Sequence, residues 1–361
     1  MTIPIARPFI GEEEIAAVAA VLRSGMIARG PRVDEFEERF RQMCGTDRAV
    51  ATSSGTAALH AALHAAGIRR GDEVIVPSFT FMGTASAVCM CGARPVFADV
   101  DDLTWTLDPA DVALKVTPRT RAVIGVHLFG HPCDTRALLQ ICGDAGLVFI
   151  EDAAQAHGAL DRGRPVGSIG DLGCFSFYPT KNMTTGEGGM VTTDDAAYAR
   201  RVRRFIDHGQ EEKYLHVEVG YNYRMTDIAA AMGLVQLGRL PGANAARIEN
   251  ARRYREGLSA APVVLPHESP GVRHVYHQFV VRVPPGAPFT RGELIDHLSA
   301  RGIGTAIHYP VPLHRQPAFA AIGGDCPVSD RLAAEVLSLP VHPGVSIEDV
   351  DVVCRSIREV C

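Results

Sequence analysis

Lys181 is one of only three lysines in the chain, alongside Lys115 and Lys213, so 33 of its 36 basic residues are arginine. It lies in the loop "FYPTKNMTTGEGG", residues 177–189. An amine can lose its proton and attack a carbonyl carbon to form a Schiff base, whereas a guanidinium stays protonated, so this chemistry requires lysine. Two other stretches offer partners for such an amine. "TSSGTAALH", residues 52–60, passes through Gly55 into a helix expected to start near Thr56. The free N–H groups of Thr56 and Ala57, with the helix dipole, would attract a phosphate. "LVFIEDAAQAHG", residues 147–158, ends an apolar run in two carboxylates, and Asp152 at the tip suits a cationic ring nitrogen such as a pyridinium. Each has a plainer reading. Ser and Gly cap helices with nothing bound, Asp152 is well placed as an N-cap of "AAQA", and Lys181 could be a surface lysine.

These residues need elements to hold them. Apolar runs recur at 49–52, 73–77, 95–100, 121–129, 147–152, 174–178 and 190–194, several of them reading as fully buried strands. Helical segments such as "TAALHAALHAAG" and "DTRALLQICGDAG" separate the earlier runs; Asp134 and Thr135 offer N-caps to the second, and Gly143 and Gly146 offer stops. Strand alternating with helix predicts an α/β fold, a mainly parallel seven-stranded sheet covered on both faces. Ligands of such sheets bind beyond the carboxyl ends of the strands, where Gly55, Asp152 and Ser176 are expected. Residues 196–260 read as helix-rich, with "AAYARRVRRFIDHG", "DIAAAMGLVQLGRL" and "NAARIENARRYREGL" as helices, "VYHQFVVRV" and "TAIHY" as strands, and "TRGELIDHLSARG" and "SIEDVDVVCRSIREV" as helices. The change of character at "RLPGAN" predicts a large domain over 1–240 and a smaller α+β domain over 241–361.

Bulk properties exclude several classes. A net charge of −5 with arginines scattered among acids gives no footprint for nucleic acid. No apolar run approaches 18 residues and the N-terminus lacks a basic start, so neither a membrane span nor a signal peptide is expected, and the cytoplasm is the expected location. Nine cysteines without a CxxC pair read as packed, reduced thiols. His60 and His64 have metal-ligand spacing but no evident third ligand, so a shared helix face is the reading and no metal is expected. The chain has neither GxGxxG nor a Walker A loop, which argues against a nicotinamide dehydrogenase. His208, before Gly209, has no assigned role.

Taken in order, "GDEVIVPSFTFMGTASAV", "EDAAQAHGA", "FSFYPTKNMTTGEGGM", "GYNYRMTDIAAAMGLVQL" and "HYPVPLH" resemble the DegT/DnrJ/EryC1/StrS family of pyridoxal-phosphate-dependent sugar aminotransferases over nearly the whole length. The resemblance implies the PLP-transferase fold type I and pyridoxal 5'-phosphate as cofactor. By it, Lys181 is the amine that condenses with the cofactor and shuttles the proton, and Asp152 keeps the pyridinium protonated. Gly55, Thr56, Ala57 and Ser176 would bind the phosphate, Phe81 would stack on the ring, and Gln155 would lie near the ring hydroxyl. Asn222 would reach the phosphate of a neighbouring subunit, implying a homodimer with shared active sites. Plainer readings remain: Phe81 as core and Asn222 as a turn cap. His308, Tyr309 and His314 match a segment near the substrate in relatives, although Pro310 and Pro312 could make them turn residues.

Relatives that dehydrate a deoxysugar carry His at the Lys181 position, so the lysine here favours transamination. The implied reaction moves an amino group, with L-glutamate the expected donor, to a keto group of a nucleotide-linked sugar. Alternatives are a free keto-cyclitol or antibiotic precursor as acceptor, a dehydrating or aromatising relative that retains lysine, and a non-catalytic regulator that binds the cofactor.

Overall fold

The computed structural model describes residues 2–360. Fourteen strands are named in chain order: β1 (Arg48–Thr52), β2 (Glu73–Pro77), β3 (Arg94–Ala98), β4 (Thr120–Val126), β5 (Val148–Asp152), β6 (Leu160–Asp161), β7 (Arg164–Pro165), β8 (Leu172–Ser176), β9 (Gly189–Thr193), β10 (Gln210–Glu212), β11 (Leu215–His216), β12 (Val272–Arg273), β13 (Phe279–Arg282) and β14 (Val336–Leu339). Seven of them form one sheet in the order β1-β9-β8-β5-β4-β2-β3. Only β9 runs against its neighbours β1 and β8; the other pairs are parallel. The sheet is buried on both faces, as its unbroken apolar runs require. In β2, Val74 and Val76 pack with the alanines and leucines of the Gly55–Ala65 helix, while Ile75 points the other way, toward Leu138 and Phe149.

The helices that bring the chain back across the sheet begin and end where local chemistry dictates. The Gly55–Ala65 helix is capped by Ser54, whose hydroxyl accepts from the Ala57 amide at 3.1 Å. The Thr135–Ala145 helix is capped by Asp134 alone of the two candidates and stops at Gly146, which takes the left-handed conformation.

Within the helix-rich stretch from 196, β10 and β11 pair as a short unforeseen hairpin, and the expected break between helices is absent. Instead of two helices broken at "RLPGAN", a single helix runs from Asp227 to Gly257 with Pro241 inside it. An interior proline costs about 3 kcal/mol, through a lost hydrogen bond and a clash. Packing on both sides offsets it. The first half buries Ala230 and Leu240 with Phe36, Phe40 and Phe177; the second buries Ala251 and Tyr254 with Phe279 and Leu294. The expected division near residue 240 therefore falls within an element shared by two hydrophobic cores. Ile3 also joins the second core, pairing with Ile303.

The C-terminal region is α+β as expected, with one strand exchanged for another. β13 pairs with β14, which was not foreseen because "VLSL" follows directly on the Pro327–Glu335 helix without a turn signal. "TAIHY" contributes only an isolated bridge, Ala306 to Ser338, on the far side of β14. Among the described residues no helix is long and apolar enough to cross a membrane.

Candidate active site

The carboxyl ends of β1, β2, β4, β5 and β8 open on one side of the sheet, at a cavity of about 670 Å³. Gly55, Thr56, Phe81, Asp152, Gln155, Ser176, Lys181, His308 and Tyr309 all line it. These nine come from segments far apart in the chain, and parallel strand order is what gathers them.

Alternation along β5 separates the two adjacent carboxylates. Glu151 points away from the cavity, fully buried, and accepts hydrogen bonds from His127 Nε2 (2.9 Å) and the amides of Gly167 (2.8 Å), Ile169 (2.7 Å) and Gly170 (2.8 Å). Burial works against its charge, but these bonds outweigh it and hold its carboxyl below the usual range. It anchors the 167–170 turn. Asp152 faces the cavity and accepts from Thr84 Oγ1 at 2.8 Å and the Ala154 amide at 3.2 Å. Here burial dominates and pushes the carboxyl above its ordinary value, with Thr84, Ala154 and the charge of Lys181 only partly offsetting it. Such a carboxylate gains most from a cationic hydrogen-bond donor placed in the cavity.

Lys181 sits on a loop that is tied down from several directions. Its amide donates to the Tyr178 carbonyl (2.9 Å), and Thr184 Oγ1 and the Thr185 amide both donate to the Phe177 carbonyl (2.8 and 3.0 Å). The next residue, Asn182, donates through Nδ2 to Asn244 Oδ1 (2.8 Å) and to the Val275 carbonyl (3.1 Å). Burial lowers the Lys181 amine to about 8, with Asp152 pulling the other way. The side chain therefore holds a substantial neutral, nucleophilic fraction near neutral pH.

The phosphate cradle is built from small residues. A Cβ on Gly55 would stand 2.6 Å from the Ser176 Cβ, so the helix start and the end of β8 approach as closely as they do only because residue 55 is glycine. Capping by Ser54 consumes the Ala57 amide, and Ala57 does not line the cavity. The amides left free at this helix start are those of Gly55 and Thr56. Free amides, a helix N-terminus and the Ser176 hydroxyl fit a phosphate, while Asp152 fits a protonated ring nitrogen, so the donor set matches pyridoxal phosphate.

The remaining expected residues divide. Phe81 is 58% exposed at the cavity mouth, which removes the core reading, and its ring lies 6.2 Å from that of Tyr309. Gln155 accepts from the Phe129 amide (2.7 Å) and donates to the Tyr309 hydroxyl (3.0 Å), so its amide is oriented by the fold. His308 Nδ1 lies 2.8 Å from the Ser338 hydroxyl. His314 is buried outside the cavity, between Ser78 Oγ (2.5 Å) and Asp330 (3.3 Å). Asn222 is exposed and does not line the cavity of its own chain. His60 packs edge-on against Phe205 and His64 pairs with Glu218 at 3.0 Å. No cluster of three metal-ligating side chains occurs among the described residues. Residues not foreseen also face the cavity: Thr84, Thr180 and His277. Thr84 carried a usable signal, since it lies three residues after Phe81 on the first turn of the Met82–Met90 helix, the turn that faces the strand ends.

An amine of lowered basicity opposite a buried carboxylate, with a phosphate cradle between strand ends, defines a class: pyridoxal-phosphate enzymes in which the protein's lysine meets the cofactor's aldehyde. Within that class the chain belongs to the DegT/DnrJ/EryC1/StrS aminotransferase family, whose model matches residues 8–358. It is 42% identical over 352 residues to the dTDP-3-amino-3,4,6-trideoxy-alpha-D-glucose transaminase of Streptomyces venezuelae, covering 96% of this chain and 92% of that protein. It is 39% identical over 349 residues to the UDP-N-acetyl-3-dehydro-alpha-D-glucosamine 3-aminotransferase of Acidithiobacillus ferrooxidans, covering 96% and 93%. The PLP form of the sugar aminotransferase Spr1654 from Streptococcus pneumoniae superposes with a TM-score of 0.94 at 31% identity, over 100% of this chain and 98% of that one. The protein is a pyridoxal-phosphate-dependent aminotransferase of fold type I.

Proposed function

We propose that this enzyme transfers the amino group of L-glutamate to the keto carbon of a nucleotide-linked sugar. The observation that carries the reading is Lys181, a neutralisable amine facing Asp152 in a large cavity, in a chain close to transaminases named for dTDP- and UDP-linked sugars. Pyridoxal phosphate, when bound, supplies the aldehyde that accepts the amino group and a ring that withdraws electrons from the reacting carbon.

The residues divide the work. Gly55, Thr56 and Ser176 hold the phosphate, and Ala57 acts by closing the helix cap through its amide. Asp152 holds a proton on the ring nitrogen, kept in place by Thr84. Phe81 would cover a face of the ring, and Gln155, fixed by Phe129 and Tyr309, would receive the ring hydroxyl. Lys181 Nζ would hold the cofactor through its aldehyde carbon and, when free, would be the base that moves a proton to and from the substrate carbon. His308 and Tyr309 contact the sugar, and His314 ties the segment that follows them to Ser78, outside the cavity.

The larger unit, residues 1–240, supplies the cofactor contacts, and residues 241–361 supply the His308–Tyr309 wall. A second copy of the chain completes the site with Asn222. This is supported by that residue's exposure and by the apolar side chains that Leu215, Val217, Val219 and Tyr221 leave exposed around it. The eight cysteines among the described residues are all free, which supports a reducing, cytoplasmic setting.

A panel of keto-sugar nucleotides and free keto-cyclitols, each incubated with holoenzyme and L-glutamate and read by mass, tests the reading. Amination of a nucleotide sugar is the expected result; amination of a cyclitol with no nucleotide sugar converted would overturn the acceptor assignment. A protein whose absorbance near 400 nm does not respond to L-glutamate would overturn the donor.

A further inference from the structure

Behind Lys181 the site continues into a second cavity of about 560 Å³. Ile5, Ala6, Thr180, Lys181, His277 and Gln278 line both cavities, so the lysine loop is part of the partition between them, with the N-terminal segment and the His277–Gln278 pair. Four basic side chains line the second one, Arg7, Lys181, Arg239 and Arg247, and no Asp or Glu does. Arg239 is already neutralised by Glu13 (2.9 Å) and Glu14 (2.6 Å). Arg247 is not.

The Arg247 side chain is 5% exposed, projecting from the shared Asp227–Gly257 helix. Its hydrogen bonds run from Nη1 alone, to the Tyr276 carbonyl at 3.3 Å and the His277 carbonyl at 3.1 Å. Nε is buried with no partner, and among the described residues no carboxylate lies within ion-pair distance. Burial lowers the group to about 10, which still leaves it fully charged at neutral pH. A buried guanidinium with unused donors and no counter-charge is costly to the fold, and the cost is recovered when an anion enters beside it. Clamping two carbonyls would account for Nη1; it does not account for the open cavity or for the absence of any acid on its wall.

We propose that Arg247, with Arg7, forms an anion subsite behind Lys181 that takes a carboxylate or phosphate group of a substrate. The planar guanidinium can grip two oxygens of either group. The proposal rests on the aminotransferase reading for the ligand's source: the side-chain carboxylate of the amino donor or the diphosphate of the acceptor. It does not rest on that reading for the existence of the subsite.

The test is titration calorimetry of the holoenzyme with glutarate and, separately, inorganic pyrophosphate. At least one should bind once per chain, with affinity that falls as salt rises. Arg247→Met should weaken it by about tenfold or more, the effect of losing one charge-assisted contact. Ala243→Glu should act in the same direction. It places a carboxylate on the cavity wall and leaves the carbonyl bonds of Arg247 in place, so it carries the test if the first variant fails to fold. A raised half-saturation for L-glutamate in the spectroscopic half-reaction, with the acceptor KM unmoved, identifies the carboxylate source; the reverse pattern identifies the phosphate source. Failure of both anions to bind wild type, or equal binding by wild type and both variants, overturns the proposal. Arg247-dependent anion binding in an enzyme that aminates no nucleotide sugar would keep the subsite and remove the acceptor assignment instead.

Discussion

Thr84→Val isolates the electrostatic balance at Asp152, because valine keeps the shape of threonine and removes only the hydroxyl that donates to Oδ2 at 2.8 Å. A hydrogen bond to a charged group contributes about 1.5–3 kcal/mol, and one pKa unit corresponds to about 1.4 kcal/mol. Losing it should therefore move Asp152 upward by about one to two units. Burial already holds this carboxyl above its ordinary value, so the change adds to an existing shift. Between the ordinary and the folded value the native state keeps a proton that the unfolded chain releases. Stability contributed by this group is thus present at low pH and falls as pH rises through that window. Denaturant unfolding of the cofactor-free variant should show a loss of about 1.5–3 kcal/mol against wild type at pH 7.5, and a smaller loss toward pH 4. The acid limb of cofactor affinity should shift upward by the same one to two pH units, since the ring nitrogen needs the ionised carboxylate. Equal losses at both pH values, with an unmoved acid limb, would refute the assignment of Thr84 to the charged form of Asp152.

Four further outcomes follow from the same geometry. The rate at which cofactor-free protein condenses with pyridoxal phosphate, followed by absorbance, should rise with pH and level off above about 8, because only the neutral amine attacks. A rise continuing toward 10.5 would show Lys181 to be an ordinary lysine. Asp152→Asn should move the plateau to lower pH, since the carboxylate is the group holding that amine's pKa up. Lys181→Arg should keep the positive charge and abolish turnover, as guanidinium cannot condense; retained turnover would remove Lys181 from the chemistry. Gly55→Ala places a Cβ 2.6 Å from the Ser176 Cβ and should weaken phosphate binding, measured as cofactor affinity, and cost about 1–3 kcal/mol of stability by overpacking.

The strands of the main sheet were legible because strands buried on both faces leave unbroken apolar runs, and residues 73–77 match β2 to the residue. The chemistry of Lys181 was legible for a different reason: only one basic side chain can act as the amine. The Pro241 helix was not legible, since the packing that overrides the proline comes from two cores assembled from distant segments. β14 was missed because a four-residue strand has no periodicity of its own to read, while "TAIHY", read as a strand, contributes only the bridge at Ala306.

Residue type and order along the chain determined which groups can do chemistry here: an amine at 181, a carboxylate at a strand tip, small residues at a helix start. Tertiary structure decided which of them meet. It turned Glu151 into the anchor of a turn and Asp152 into a cavity wall, because adjacent strand residues face opposite sides. It gave the Ala57 amide to Ser54 and buried His314 outside the cavity. It also brought the Thr84 hydroxyl onto the carboxylate of Asp152, and Arg247, which sequence order leaves unmarked, to the wall behind the lysine. Contact, burial and the resulting shift in acidity depend on distances between segments well separated in the chain, 68 residues for Thr84 and Asp152 and 236 for Ser78 and His314, and no local pattern records them.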